Sequence, residues 1–111
     1  MESIQAKANF QTINEAQAKE MMEDGDSFIL LDVRSEEEYK DQRIDGAISI
    51  PLDIIESAAV SKLPDKDARI LVHCQSGRRS AEAASILVGF GYSNIYSFGG
   101  IANWKYGTIS G

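Results

Sequence analysis

Ser27-Phe28-Ile29-Leu30-Leu31-Asp32-Val33 is an almost unbroken apolar run. It narrows the possible folds more than any other stretch. It is too short for a helix and too uniform for a strand with one wet face. It therefore reads as a strand buried on both faces of a parallel sheet. Ile70-Leu71-Val72 has the same character.

The segments around these strands alternate in type. Residues 9–12 read as a short edge strand. Thr12-Ile13-Asn14-Glu15 fits a capping box, with Thr12 as N-cap and Glu15 reaching back. The helix it opens has Ala16, Ala18, Met21 and Met22 along one face and ends near Asp24-Gly25. Ser35-Glu36-Glu37-Glu38 offers a second capping box, for a short helix through Lys40, with Glu38 placed to pair with Arg34. Ile44-Asp45-Gly46-Ala47 is a turn, residues 47–50 a strand that Pro51 ends, and residues 52–60 a helix. Residues 80–90 form a helix with Ala83, Ala84, Leu87 and Val88 on one face and Gly91 at a left-handed cap. Residues 94–98 are the last strand. Gly99-Gly100 turns the chain into a short helix at 101–104 that packs Trp104 on the core. Alternation of this kind predicts an α/β domain, a central mostly parallel sheet of about five strands with helices on both faces. Residues 9–106 make up that domain, with a flexible N-terminus at 1–8 and a C-terminal tail at 107–111.

A chain of 111 residues with 43% hydrophobic composition builds one core without covalent staples. Its single cysteine excludes an internal disulfide and a multi-cysteine zinc site, and no metal is expected. A lone thiol suits a reducing, cytoplasmic setting. Met1-Glu2-Ser3-Ile4-Gln5-Ala6-Lys7 lacks the apolar run of a signal peptide, and no stretch approaches the ~20 apolar residues of a membrane span. A net charge of -6 argues against nucleic acid and anionic lipid as partners. Arg78 and Arg79 are a local positive spot on an acidic protein.

That spot adjoins the cysteine. Cys74-Gln75-Ser76-Gly77-Arg78-Arg79-Ser80 runs from the end of a buried strand, through a polar loop, into a helix start. In parallel sheets ligands bind beyond the carboxyl ends of the strands. A thiol there meets backbone N–H groups and the positive end of a helix dipole, both of which favour thiolate over thiol.

This loop closely resembles the active-site loop of the rhodanese-like sulfurtransferases, in particular their small single-domain members. Leu31-Asp32-Val33-Arg34 followed by Glu38-Tyr39 is similar to the first signature of that family. Ile44-Asp45-Gly46-Ala47-Ile48-Ser49-Ile50-Pro51 resembles the second. Gly91-Tyr92-Ser93-Asn94-Ile95-Tyr96 and Gly99-Gly100-Ile101-Ala102-Asn103-Trp104 resemble the closing pattern. One departure is Gln42-Arg43, where the family commonly has Gly-His. The resemblance implies a rhodanese-like domain in which Cys74 carries a persulfide and needs no cofactor.

On that reading Cys74 is the nucleophile, and Gln75, Ser76, Gly77, Arg78, Arg79 and Ser80 hold a small sulfur-containing anion such as thiosulfate. The loop N–H groups form an anion nest, Gly77 permits the curl, Ser76 and Ser80 add hydroxyls, and Arg78 or Arg79 meets the leaving sulfite. With a lone cysteine, the sulfur must leave to an outside acceptor: a thiol, cyanide or a protein partner. Plainer roles stand beside these. Cys74 can be a core residue, and the arginines surface residues. His73 faces away from Cys74, because neighbouring strand residues alternate, and reads as structural. Asp32 and Arg34 read as an ion pair supporting the loops. Two rival functions remain. A phosphatase or arsenate reductase requires five residues between Cys and Arg, and Arg79 comes one place early. A non-catalytic binding module usually lacks the cysteine that this chain keeps.

Overall fold

The computed structural model describes residues 9–111; the segment expected to be flexible at 1–8 lies outside the described residues. The chain begins with β1 (Gln11–Thr12), α1 (Glu15–Met22), β2 (Ile29–Asp32), α2 (Glu36–Asp41) and β3 (Ile48–Ser49). It continues with a 3₁₀ turn (Leu52–Ile54), α3 (Ile55–Lys62), β4 (Ile70–Cys74), α4 (Arg78–Gly89), β5 (Ile95–Gly100) and a second 3₁₀ turn (Ile101–Asn103). The strands make one sheet in the order β1-β5-β4-β2-β3, and every pairing is parallel.

β4 lies at the centre with all five residues buried. It pairs with β2 so that Leu30 stands beside Leu71 and Asp32 beside His73. The period of two divides the core. Ile70, Val72 and Cys74 face a cluster with Ala59, Leu63, Ala83, Ala84 and Leu87, which is the α3–α4 side. Leu30 and Leu71 face a second cluster with Ala18, Ile44, Phe98 and Ile101, which is the α1 side. Uniform apolar strands are what a sheet covered on both faces demands.

Local chemistry shifts several boundaries from the sequence-based expectations. Thr12 ends β1 instead of capping a helix, because Ile13 N–H still donates to Ser97 C=O at 2.9 Å. The cap moves to Asn14, whose side chain accepts from Gln17 N–H at 2.8 Å, while Gln17 Oε1 accepts from Asn14 N–H at 2.9 Å. The second box, Ser35 with Glu38, forms as expected. Its expected ion pair does not: Arg34 folds back on Asp32, and Glu38 pairs with Arg79. The expected helix at 52–60 splits into the 3₁₀ turn and α3. Gly99-Gly100 does not turn the chain but continues β5, where Gly100 stands beside Cys74. After α4, Gly91 takes φ +96 and Tyr92 N–H donates to Leu87 C=O at 3.1 Å, closing the helix end. The C-terminal segment docks on the domain, with Ile109 bridging Arg43 and Gly111 N–H donating to Lys40 C=O.

Candidate active site

Cys74 is the last residue of β4, 1% exposed, and α4 starts four residues later. The loop between them turns at Gly77, whose φ of +123 disfavours any residue with a Cβ. That conformation aims Gly77 N–H back at Cys74 Sγ, 3.0 Å away. Burial works against a charged sulfur here. The N–H groups of Ser80 and Gly77, the Ser80 hydroxyl and Ser76 N–H outweigh it and hold the Cys74 pKa below the usual thiol value. Gly99 C=O lies 3.9 Å from Sγ.

Each residue of the loop has a distinct setting. Gln75 and Ser76 are exposed, and Gln75 C=O accepts from Ala102 N–H at 3.0 Å, tying the loop to the second 3₁₀ turn. Ser80 is buried at the first turn of α4. Its single hydroxyl proton is shared among Gly77 C=O at 3.0 Å, Phe98 C=O at 3.3 Å and the Cys74 sulfur, and its oxygen accepts from Ser97 Oγ–H at 3.1 Å. Arg78 is exposed and makes no hydrogen bond or ion pair among the described residues. Arg79 is engaged: its guanidinium holds both Glu38 oxygens, at 2.7 and 3.1 Å. That contact pulls the Glu38 pKa down to about 2.

Three residues outside the loop, Glu15, Gly100 and Ser97, also shape it. Glu15, at the start of α1, accepts from Gly100 N–H at 3.1 Å. A Cβ on Gly100 would lie 2.0 Å from Cys74 C=O, so only glycine permits this approach of β5 to β4. Ser97 is 3% exposed, and the buried serine in an apolar strand is its one hint.

On the other face of β4, His73 stacks near Phe98, with ring centroids 5.3 Å apart. Its Nδ1 lies 3.1 Å from Cys74 C=O, which can only accept, so the proton sits on Nδ1. Nε2 has no hydrogen-bond partner and lies 3.8 Å from Asp32. Burial lowers the His73 pKa more than Asp32 raises it, and the ring is neutral. Asp32 instead takes Arg34, through Nε, Nη2 and the backbone N–H. No group of three His, Cys, Asp or Glu among the described residues is arranged to hold a metal ion.

The family profile described as Rhodanese-like domain matches residues 14–106. The chain belongs to the rhodanese-like family. Thiosulfate sulfurtransferase PspE of Escherichia coli (strain K12) is 33% identical over 81 residues, 73% of this chain and 78% of that protein. Thiosulfate sulfurtransferase GlpE of Pseudomonas entomophila (strain L48) is 35% identical over 99 residues, 88% of this chain and 87% of that protein. A solved structure described as a rhodanese with anions from E. coli aligns with a TM-score of 0.71 at 32% identity, over 77% of this chain and 100% of that one. These relatives support a sulfurtransferase-type role for this rhodanese-like domain.

Proposed function

We propose that the protein moves sulfane sulfur through a persulfide on Cys74, from thiosulfate or another persulfide donor to a thiol or cyanide. The observation that carries this reading is the Gly77 N–H aimed at Cys74 Sγ from 3.0 Å, at the start of a twelve-residue helix. Such donors stabilise the thiolate and then the terminal sulfur of a persulfide. The thiolate attacks the outer sulfur of the donor. The donor S–S bond breaks, and sulfite leaves with its electron pair. An acceptor thiolate then attacks the outer sulfur of Cys74–S–S⁻ and regenerates the Cys74 thiolate. Arg78, exposed and unpaired among the described residues, is a cation free to meet an incoming anion; Arg79 is already neutralised by Glu38.

A second reading, a rhodanese-like binding module, draws on one observation: Cys74 is 1% exposed. The phosphatase reading is weaker, because the arginine nearest its required position is pinned by a carboxylate. Intact-protein mass spectrometry decides between them. Treatment with thiosulfate or polysulfide adds the mass of one sulfur atom, and Cys74→Ser abolishes the gain. An unchanged wild-type mass with every donor would leave the binding module.

A further inference from the structure

A groove of about 830 Å³ opens beyond the carboxyl ends of β2 and β3. Its apolar lining is Val33, Pro51, Leu52, Ile54 and Ile86. Ile54 is 42% exposed, although it is a large aliphatic side chain. Four carboxylates rim it: Glu36, Asp53, Glu56 and Glu82. All four are exposed, and none has an ion-pair partner among the described residues. Arg79 is the one cation in the lining, and Glu38 already neutralises it.

Arg79 also connects the groove to the thiol. It stands in the first turn of α4, five residues after Cys74, and lines the groove, so the groove begins where the loop ends. This rim repels a dianion and attracts a cation. The apolar floor offers aliphatic anchorage that a small inorganic anion cannot use.

We propose that this groove docks a lysine- or arginine-rich, leucine-bearing segment of a protein thiol that takes sulfur from Cys74. The proposal rests on the persulfide reading of the site. The docked thiolate attacks the outer sulfur of Cys74–S–S⁻. The Cys74 S–S bond breaks, the Cys74 thiolate is regenerated and the partner becomes the persulfide. No oxidant enters. The groove then selects the acceptor by charge, while the loop performs the chemistry.

The test uses the full chain, loaded with sulfur from polysulfide. Two short synthetic peptides serve as acceptors: one cysteine flanked by lysines and a leucine, and its twin with glutamates in place of the lysines. Loss of sulfur from the protein is followed by intact-mass measurement. The basic peptide is expected to discharge the persulfide about tenfold faster than the acidic one, with added salt narrowing the difference. In Glu56→Lys/Glu82→Lys the preference inverts. The milder Glu56→Gln/Glu82→Gln reduces it and serves if the reversal fails to fold. Equal discharge of the twins, or a preference that survives both double variants, overturns the docking proposal and leaves the sulfurtransferase reading intact. Failure of every donor to load Cys74 overturns both.

Discussion

Two hydroxyls stand behind the sulfur. Ser97 Oγ–H donates to Ser80 Oγ at 3.1 Å, and the Ser80 hydroxyl in turn lowers the Cys74 pKa. A donor feeding the oxygen of another hydroxyl polarises it and fixes its rotor. Ser97→Ala removes that feed while leaving every residue next to the sulfur in place. Its expected effect is a rise in the Cys74 pKa, read from the pH dependence of thiolate absorbance. Ser97→Thr restores a hydroxyl and recovers the lower value. A packing role alone would lower stability and leave the titration unmoved. His73 follows another logic. It is neutral, fully buried and hydrogen-bonded to the Cys74 carbonyl, so it holds the backbone of Cys74 without touching its sulfur.

β4 and β5 converge at their carboxyl ends, and that convergence shapes the loop. Their register shifts between Val72 and Cys74, which brings Gly100 beside Cys74. Gly100 has φ +126 and ψ -144, a region that L side chains rarely adopt. Gly100→Ala adds this strain to a clash with the Cys74 carbonyl. The expected cost is about 3 kcal/mol or more, read from the denaturant midpoint. Gly46→Ala, also at positive φ but with no atom within 4 Å of the new Cβ, is the matched control. It carries the conformational strain without the clash and should cost less. The difference between the two isolates the close approach of the strands.

At the scale of the molecule, separate elements are joined by charge. Glu38 in α2 holds Arg79 in α4. Arg69, just before β4, holds Asp24 and the carbonyls of Met21, Asp26 and Ser27 around the end of α1. Arg69 lowers the Asp24 pKa from 3.8 to about 2, and Arg79 lowers Glu38 from 4.5 to about 2. A carboxylate with a depressed folded pKa stabilises the fold above its unfolded value, and that contribution disappears as pH falls through the folded one. Thermal stability is therefore expected to decline from about pH 4.5 down to about pH 2. Glu38→Gln should flatten part of that decline. Because the Glu38–Arg79 pair is about one-third exposed, its share is at most about 1 kcal/mol. Melting temperatures of the two proteins across this range check it. An identical pH profile in the variant would show that the pair contributes nothing to acid stability.

Much of the architecture was legible along the chain. Uniform apolar strands at Ile29–Asp32 and Ile70–Cys74 require two covered faces, and helical periods alternating with them leave a parallel α/β sheet as the consistent solution. The candidate loop was legible too, because Cys74, Gly77 and Ser80 lie within seven residues, and nearby groups interact largely through local backbone geometry. Distant pairings were not. Nothing near Arg79 in sequence indicates that Glu38 will neutralise it, nor does anything near Glu15 or Ser97 show that they meet Gly100 and Ser80. Those contacts depend on how far each strand runs and on the order β1-β5-β4-β2-β3, which brings side chains from remote segments to one edge. Local residue order was enough to point to the candidate loop. Only the assembled sheet decided which cation stays free and which carboxylates surround the groove, because charge pairing depends on distance in space.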